Sequence, residues 1–459
     1  MKLEDDKIKY VDESLVDDVG RVFWMDGKIY RGIYKNKVEQ VAALMDCGLI
    51  EELINDRIIP STTVSSYYSE QYPMILNHET VNTLTYPYER ITYNMIRDEG
   101  LLVLRLADKC FKYGYILKDV HRYNILYKDG SPIWIDIGSI VPCKEFIFDY
   151  GIFLSSYIMP LLMLNANPVV ATYILHNDKN LNLRINEYIC LYQGVGCGLS
   201  SVPYLRWHYM PPQAEKNENR IINELREGLI EKKISKTTWG GYQDELSHEK
   251  IVEGKEVFKG DFERYKDILS LVLEIGPTSI LEFGSNAGAL SIYLMCECEK
   301  KGCRISNYYA SDYDVNAIDR LYLFLKDNIK KYEYLRKIKP LVIDFTDVNR
   351  MYWEKGFEDR FKSDLVLAMA ISHHLLLAQG MSMRSLFYRI SKCTNRYLLI
   401  EFMPYGLWAG GDTYPNLPEW YNEEKFKENM QEYFFIKYEK RIGANRIVFM
   451  GELKDFSTR

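Results

Sequence analysis

The opening residues, MKLEDDKIKY, lack the apolar run that a secretory leader requires. No later stretch is long and apolar enough to cross a bilayer either: the longest, Ile152 to Leu164, is interrupted by Ser155, Ser156 and Pro160. A cytoplasmic protein without a membrane span is therefore expected. The nine cysteines form no C-x-x-C pair, which argues against zinc ribbons and disulfide scaffolds and for reduced thiols. Cys296, Cys298 and Cys303 do cluster, but no histidine stands nearby to complete a zinc set. An excess of positive charge is also missing. The net charge is -6 and the basic residues are dispersed, so the chain lacks the field that nucleic acid would demand as a partner. Internal repeats and low-complexity tracts are absent.

What is present is an ordinary globular composition, 47% hydrophobic and 27% charged, over 459 residues, a length that exceeds one core and implies two domains. Residues 1 to about 90 read as short strands and a helix. A hairpin is expected in RVFWMDGKIYRGI with its turn at Asp26-Gly27, and VEQVAALMDCGLIEELI has helical apolar spacing. A second periodic helix is expected from Tyr86 to about Leu106, then short strands around Tyr115 to Ile140 bracketing a polar loop, then mostly helix from 150 to 200. The composition turns polar between Pro203 and Trp239. The expected division is 1–202, a connection over 203–260, and 261–459.

From Ser279 onward strands and helices alternate: SILEF, a helix from Ala287, YYASD, a helix, PLVIDF, DLVLAMA, a helix and YLLIEF. Such alternation implies βαβ units and a parallel, doubly wound sheet. The last segment reads as a hairpin turning near Gly443-Ala444. LEFGSNAGAL places Gly284, Asn286 and Gly288 between an apolar strand and a helix, where a tight turn lets backbone approach a ligand. Its spacing is not that of a pyrophosphate-binding dinucleotide loop. Acidic residues follow the ends of successive strands, where open α/β sheets bind ligands. Asp312 could accept from both ribose hydroxyls, Asp344 could take an adenine amino group, and Glu282 could steady the loop or the methionine end of a methyl donor. After the fourth strand, which Asp364 begins, stand His373 and His374; a neutral imidazole there could remove a proton from a hydroxyl, or could simply pack. Glu401, Trp408 and Asp412 follow the fifth strand as a plausible substrate rim.

Through E-F-G-x-N-x-G, SDYD, VIDFTD and DLVLAMAISHHL, residues 270 to 450 resemble the class I S-adenosylmethionine-dependent methyltransferases. That resemblance implies a Rossmann-like sheet with a late antiparallel pair, S-adenosylmethionine as cofactor, and Glu282, Gly284, Asn286, Gly288, Asp312 and Asp344 as its contacts.

The N-terminal half carries YILKDVHRYNILYKDGSPIWIDIGSI, in which Asp119 precedes Asn124 by five positions and Asp136-x-Gly138 follows an apolar strand. This spacing resembles the catalytic and metal-binding segment of protein-kinase-like phosphotransferases, most closely the aminoglycoside and choline kinase branch with its D-x-H-x-x-N loop. The resemblance implies an α+β kinase-like domain in which Asp119 orients or deprotonates a hydroxyl while Asn124 and Asp136 hold Mg²⁺ against ATP. The chain departs from that pattern at Leu117, where a histidine is usual, and in having no glycine-rich phosphate loop. Lys28, Arg31 and Lys35 are the candidates for the strand cation, and Arg31 is not equivalent to a lysine.

Taken together, TYPYERITYNMIRDEGLLVL, LKDVHRYNILYKDGSPIWIDIGS, the WGGY segment at Trp239 and the AISHHLLL and LIEFMP segments resemble a bacterial family of nodulation-protein-like methyltransferases, which implies a methyltransferase associated with surface polysaccharide or secondary metabolite pathways. The leading expectation is O-methylation of a glycan or small-metabolite hydroxyl, with a kinase-like accessory domain. A bifunctional enzyme that phosphorylates a sugar and methylates the product, and a nucleotide-binding regulator without turnover, are the alternatives.

Overall fold

A computed structural model describes residues 1–3, 7–15, 17–143, 149–177, 226, 229, 237, 247–254, 262–346, 354–408 and 414–455. The chain divides into two compact units: Met1–Ser235 with Asn349–Glu354, and Lys236–Val348 with Lys355–Arg459. Among the described residues no helix is long and apolar enough to cross a membrane.

The first unit opens with a five-stranded antiparallel sheet: β1 (Lys9–Tyr10), β2 (Gly20–Met25), β3 (Lys28–Ile33), β4 (Thr62–Val64) and β5 (Met74–His78), in the order β1-β2-β3-β5-β4. The β2–β3 hairpin turns at Asp26-Gly27 as expected, with φ of 50° and 73°; positive φ at both central residues gives the turn the twist of its strands. The helical stretch that follows is two helices, α1 (Val38–Asp46) and α2 (Leu49–Asn55), because Gly48 takes φ 89° between them. The next helix, α3 (Tyr93–Lys112), starts later than its apolar period suggests. Pro87 sits in a single 3₁₀ turn, Pro87–Glu89, and the Thr92 hydroxyl caps α3 by accepting from the Met95 amide.

Beyond α3, β6 (Tyr115–Leu117) pairs with β9 (Ile140–Pro142), and between them β7 (Ile125–Lys128) pairs with β8 (Ser131–Trp134), both antiparallel. The polar loop of Asp119 to Asn124 is thus held between two small ladders. Helices α4 (Met159–Ala166) and α5 (Pro168–Asn177) follow. Most of the expected connection, including Trp239, lies outside the described residues, as does the chain from 178 to 225.

The second unit begins with α6 (His248–Val252) and α7 (Phe262–Ile275) and is organised by a seven-stranded sheet. Its strands are β10 (Ser279–Phe283), β11 (Asn307–Asp312), β12 (Ile338–Val342), β13 (Ser363–Ala368), β14 (Thr394–Phe402), β15 (Phe434–Arg441) and β16 (Ile447–Leu453). The order is β12-β11-β10-β13-β14-β16-β15; the first five are parallel and β16 runs antiparallel to both neighbours. This is a Rossmann-like α/β domain carrying the late antiparallel pair that the sequence resemblance implies. Helices α8 (Ala289–Lys300) and α9 (Val315–Asn328) lie over an apolar cluster on one face with Ile280, Tyr308 and Leu365; α10 (Met383–Cys393) and α11 (Glu423–Tyr433) cover Leu281, Val366 and Leu398 on the other. Because neighbouring residues of each strand serve opposite faces, the middles of β10, β13 and β14 are apolar on both sides. Order reverses between β10 and β13, and the C-terminal ends of the strands there form the switch point at which such sheets bind ligands.

Candidate functional site

The turn after β10 is shaped by three residues in left-handed backbone: Gly284 at φ 72°, Asn286 at 49° and Gly288 at 80°. Two of them have no room for a side chain. A Cβ on Gly284 would lie 2.3 Å from Ile371 Cγ2, and one on Gly288 2.6 Å from Leu321 Cδ1. Asn286 manages the conformation with its own side chain, whose Oδ1 accepts from the Ala287 amide at 2.9 Å.

Asp312, the last residue of β11, ties this turn to the next strand. Its Oδ2 accepts from the Asn286 amide and its Oδ1 from the Asp314 amide, both at 2.8 Å. The Tyr313 amide also bonds this carboxylate, which still leaves it acceptor capacity for a ligand donor. Burial outweighs these amides and pushes the carboxyl up to about 6. Asp344 follows β12 and is brought alongside, since the Ile343 amide donates to the Asp312 carbonyl at 3.0 Å. One Asp344 oxygen accepts from the Thr346 amide and hydroxyl at 2.8 and 2.6 Å.

Glu282 is turned away from this edge. It is buried, and one carboxylate oxygen accepts from the Ser291 hydroxyl at 2.6 Å and from Tyr308 at 2.7 Å. Burial raises its pKa, against those two hydrogen bonds. These two hydrogen bonds tie it to α8 and to β11.

After β13 the chain bends at Ala370, which takes φ 55°, a strained conformation for a residue with a side chain, costing about 1–3 kcal/mol. Ile371 then covers Gly284, and Ser372 donates to the Glu401 carbonyl at 2.6 Å. His373 and His374 come next, with ring centroids 4.1 Å apart, at the start of a single π turn, His374–Ala378. His373 is buried; burial first, then His374 and Arg446, push its pKa down to about 3. His374 is less enclosed, and burial lowers its pKa too.

Two of the expected rim residues need correction or lie out of view. Glu401 is fully buried at the end of β14 and makes a two-pronged ion pair with Arg264, at 2.6 and 2.8 Å, and a third contact with Arg446 at 2.9 Å. It braces the sheet and cannot face a substrate. Asp412 lies outside the described residues. Trp408 meets Tyr405 edge to face and lies tilted against Tyr414 beyond β14, at centroid separations of 5.7 and 5.3 Å. Asp364 stands at the opposite end of β13, accepting from Thr278 at 2.6 Å.

Sequence reasoning missed Thr237 and His248. The Thr237 hydroxyl donates to Asp314, the cap of α9, at 2.7 Å. His248 touches the Ala287 backbone in the glycine turn; burial pushes its pKa down to about 4, so it stays neutral. Nothing in their local sequence marks either residue.

In the first unit, Asp119 and His121 pair at 3.0 Å, Oδ2 to Nε2. Burial works against both charges, but each holds the other: Asp119 is shifted down and His121 up. The Asn124 amide donates to the Asp119 carbonyl at 3.4 Å. Asp136 Oδ1 accepts from the Gly138 amide at 3.0 Å and lies 2.9 Å from Nη2 of Arg31 on β3. The group that would hold Mg²⁺ is thereby engaged by a guanidinium. Among the described residues no three His, Cys, Asp or Glu side chains are grouped to bind a metal ion.

No family model matches the chain. It is similar to the nodulation protein NoeA of Rhizobium meliloti (strain 1021), with 21% identity over 424 residues, 85% of this chain and 84% of that one. Among solved structures it is similar to the magnesium protoporphyrin IX methyltransferase of Synechocystis PCC 6803 with bound SAH, at 13% identity and a TM-score of 0.30, covering 45% of this chain and 93% of that one. A SAM-dependent methyltransferase from Aquifex aeolicus matches at 14% identity and a TM-score of 0.31, covering 46% and 100%.

Proposed function

We propose that the second unit binds S-adenosylmethionine and transfers its methyl group to a hydroxyl of a glycan or small metabolite, with the first unit as a kinase-like accessory domain. One observation carries the reading: Asp312 links the glycine turn of β10 to the end of β11, at the switch point of the sheet, with lone pairs to spare for a ribose diol. The adjoining Asp344 suits the adenine amino group, and Gly284, Asn286 and Gly288 let the backbone approach the donor. Glu282 acts from behind, by fixing the turn.

In methyl transfer the hydroxyl oxygen attacks the sulfonium methyl carbon, the carbon–sulfur bond breaks, the thioether leaves, and the hydroxyl proton must go to a base. His373 is a poor acceptor, because its protonated form is too acidic to persist at neutral pH. His374, beside it and less buried, is the better candidate, with His373 packed behind it. For the first unit, the strand order β1-β2-β3-β5-β4 and the β6–β9 and β7–β8 ladders around Asp119 to Asn124 support the kinase-like reading. The engagement of Asp136 by Arg31 favours an accessory role over phosphorylation.

Thermal unfolding with S-adenosylmethionine tests the donor site. At a hundredfold excess over Kd the ligand adds about 2.7 kcal/mol, a rise of roughly 5–10 °C for a unit of this size. Asp312→Ala should abolish that rise, and an unchanged rise in this variant would remove the assignment.

Donor affinity should also depend on pH. The ribose hydroxyls donate to the ionised carboxylate, so affinity should fall about tenfold between pH 7 and pH 5, as Asp312 takes up its proton near 6. Without ligand the sign is opposite: ionising Asp312 opposes folding, a cost absent below the unfolded value of 3.8 and complete above about 6. Calorimetric titrations across this range, with Asp312→Asn giving a flat profile, check both statements.

A further inference from the structure

Arg31 lies on the central strand of the first sheet, Val22 opposite it on β2 and Leu76 on β5. Its side chain runs inward and is only 5% exposed. One terminal nitrogen, Nη1, pairs with Asp17, in the loop between β1 and β2; the other, Nη2, meets Asp136 at 2.9 Å. A Cβ on Gly138 would come within 2.9 Å of Nη1, so the guanidinium is packed directly against the Asp-x-Gly turn. Burial opposes the charge, and Asp136 and Asp17 more than restore it.

The loop supplying Asp17 is fastened a second time. Asp18 pairs with Lys118, the neighbour of Asp119, and lies 3.5 Å from Lys37. Where a phosphate-binding loop would present amides to an anion, this chain presents Asp12, Glu13, Asp17 and Asp18. Two of these carboxylates, Asp17 and Asp18, are already held by cations, and a fixed guanidinium beside Asp136 repels a divalent cation.

We propose that the cleft of the first unit is built to work without a metal ion: Arg31 supplies the positive charge that Mg²⁺ would supply, and the acidic loop between β1 and β2 locks it against Asp136. This inference rests on the kinase-like reading of the unit. It makes the cleft incapable of Mg²⁺-dependent phosphoryl transfer and leaves Asp119 and His121 as a polar pair beside a closed ion-pair network.

Mn²⁺ titrated into the full chain with ATP, followed by electron paramagnetic resonance of the free ion, provides the test. The unaltered protein should bind no Mn²⁺ through Asp136, and Arg31→Met should gain at least a tenfold increase in Mn²⁺ affinity. Adding Asp136→Asn should remove the gain, while Arg31→Lys, which keeps a charge, should gain nothing. Hydrogen exchange over β2, β3 and β5 reports that the first unit of each variant is folded. If Arg31→Met does not fold, Arg31→Gln, which removes the charge but keeps polar contacts, takes its place and should show the same gain. Mn²⁺ binding by the unaltered protein that Asp136→Asn abolishes would overturn the proposal, as would a folded Arg31→Met without any gain. A gain that survives Asn124→Ala would leave the lock standing and count against the kinase-like ligand set.

Discussion

Glu401→Ala should destabilise the second unit by about 3–5 kcal/mol, the usual cost of leaving buried charges without their counter-ion. Arg264 from α7 and Arg446 from the turn before β16 would both lose the one fully buried carboxylate they share. Arg264 meets it with two nearly parallel hydrogen bonds, the strongest geometry available to this pair. Burial works against the Glu401 anion, but the two arginines hold its pKa below the ordinary value. The stability it contributes is therefore present above about pH 4.5 and lost as pH falls through the depressed folded value. Urea unfolding at pH 7 and at pH 4 should show a large gap between the unaltered protein and Glu401→Ala at the first pH and a smaller one at the second. An equal midpoint at pH 7 would mean that the network is not formed.

The first unit carries its own version of this brace, and Glu99→Ala should cost a similar amount, about 3–5 kcal/mol. Glu99, on α3, pairs with Arg122 Nε at 2.5 Å and with Arg90 at 3.2 Å, and all three side chains are essentially inaccessible. The arginines are also cross-linked through the backbone: Arg90 donates to the Arg122 carbonyl at 2.8 Å, and Arg122 to the Arg90 carbonyl at 2.7 Å. Arg122 belongs to the loop of Asp119 and Asn124, so the substitution should loosen that loop as well as lower stability. Hydrogen exchange at residues 119–124 should rise in Glu99→Ala, while exchange in the second unit stays as it was.

The glycine turn and the strand ends of the proposed donor site were legible because their determinants are local. Gly284, Asn286 and Gly288 sit together between a strand and a helix, and Asp312 and Asp344 close or follow strands whose apolar runs are visible. The same holds for the Asp26-Gly27 hairpin and for the terminal hairpin, where β15 and β16 pair around Gly443 at φ 67°. What escaped the sequence depends on residues far apart in the chain. Glu401 looked like a rim residue because carboxylates at strand ends often face ligands, and only the convergence of Arg264 and Arg446 shows it to be a brace. Arg31 was visible as a departure from lysine, but its two aspartate partners come from a loop before it and a turn over a hundred residues after it. Ala370 carries no mark of its left-handed backbone, since alanine is at home in helix and strand alike.

The proposed donor site inherits its order of formation from the sheet. At the switch point β10 lies beside β13, with Ile280 next to Leu365, and the chain between them must first lay down β11 and β12. Contacts this distant in sequence close late, because the entropy of a long loop is lost before they return anything. Until β13 docks, Ile371 cannot cover Gly284, so a nascent or refolding chain has the glycine turn but no finished pocket. A donor molecule would then have little to grip in the transition state. It would act on the lifetime of the native protein, by slowing its unfolding, and leave the rate of folding nearly untouched.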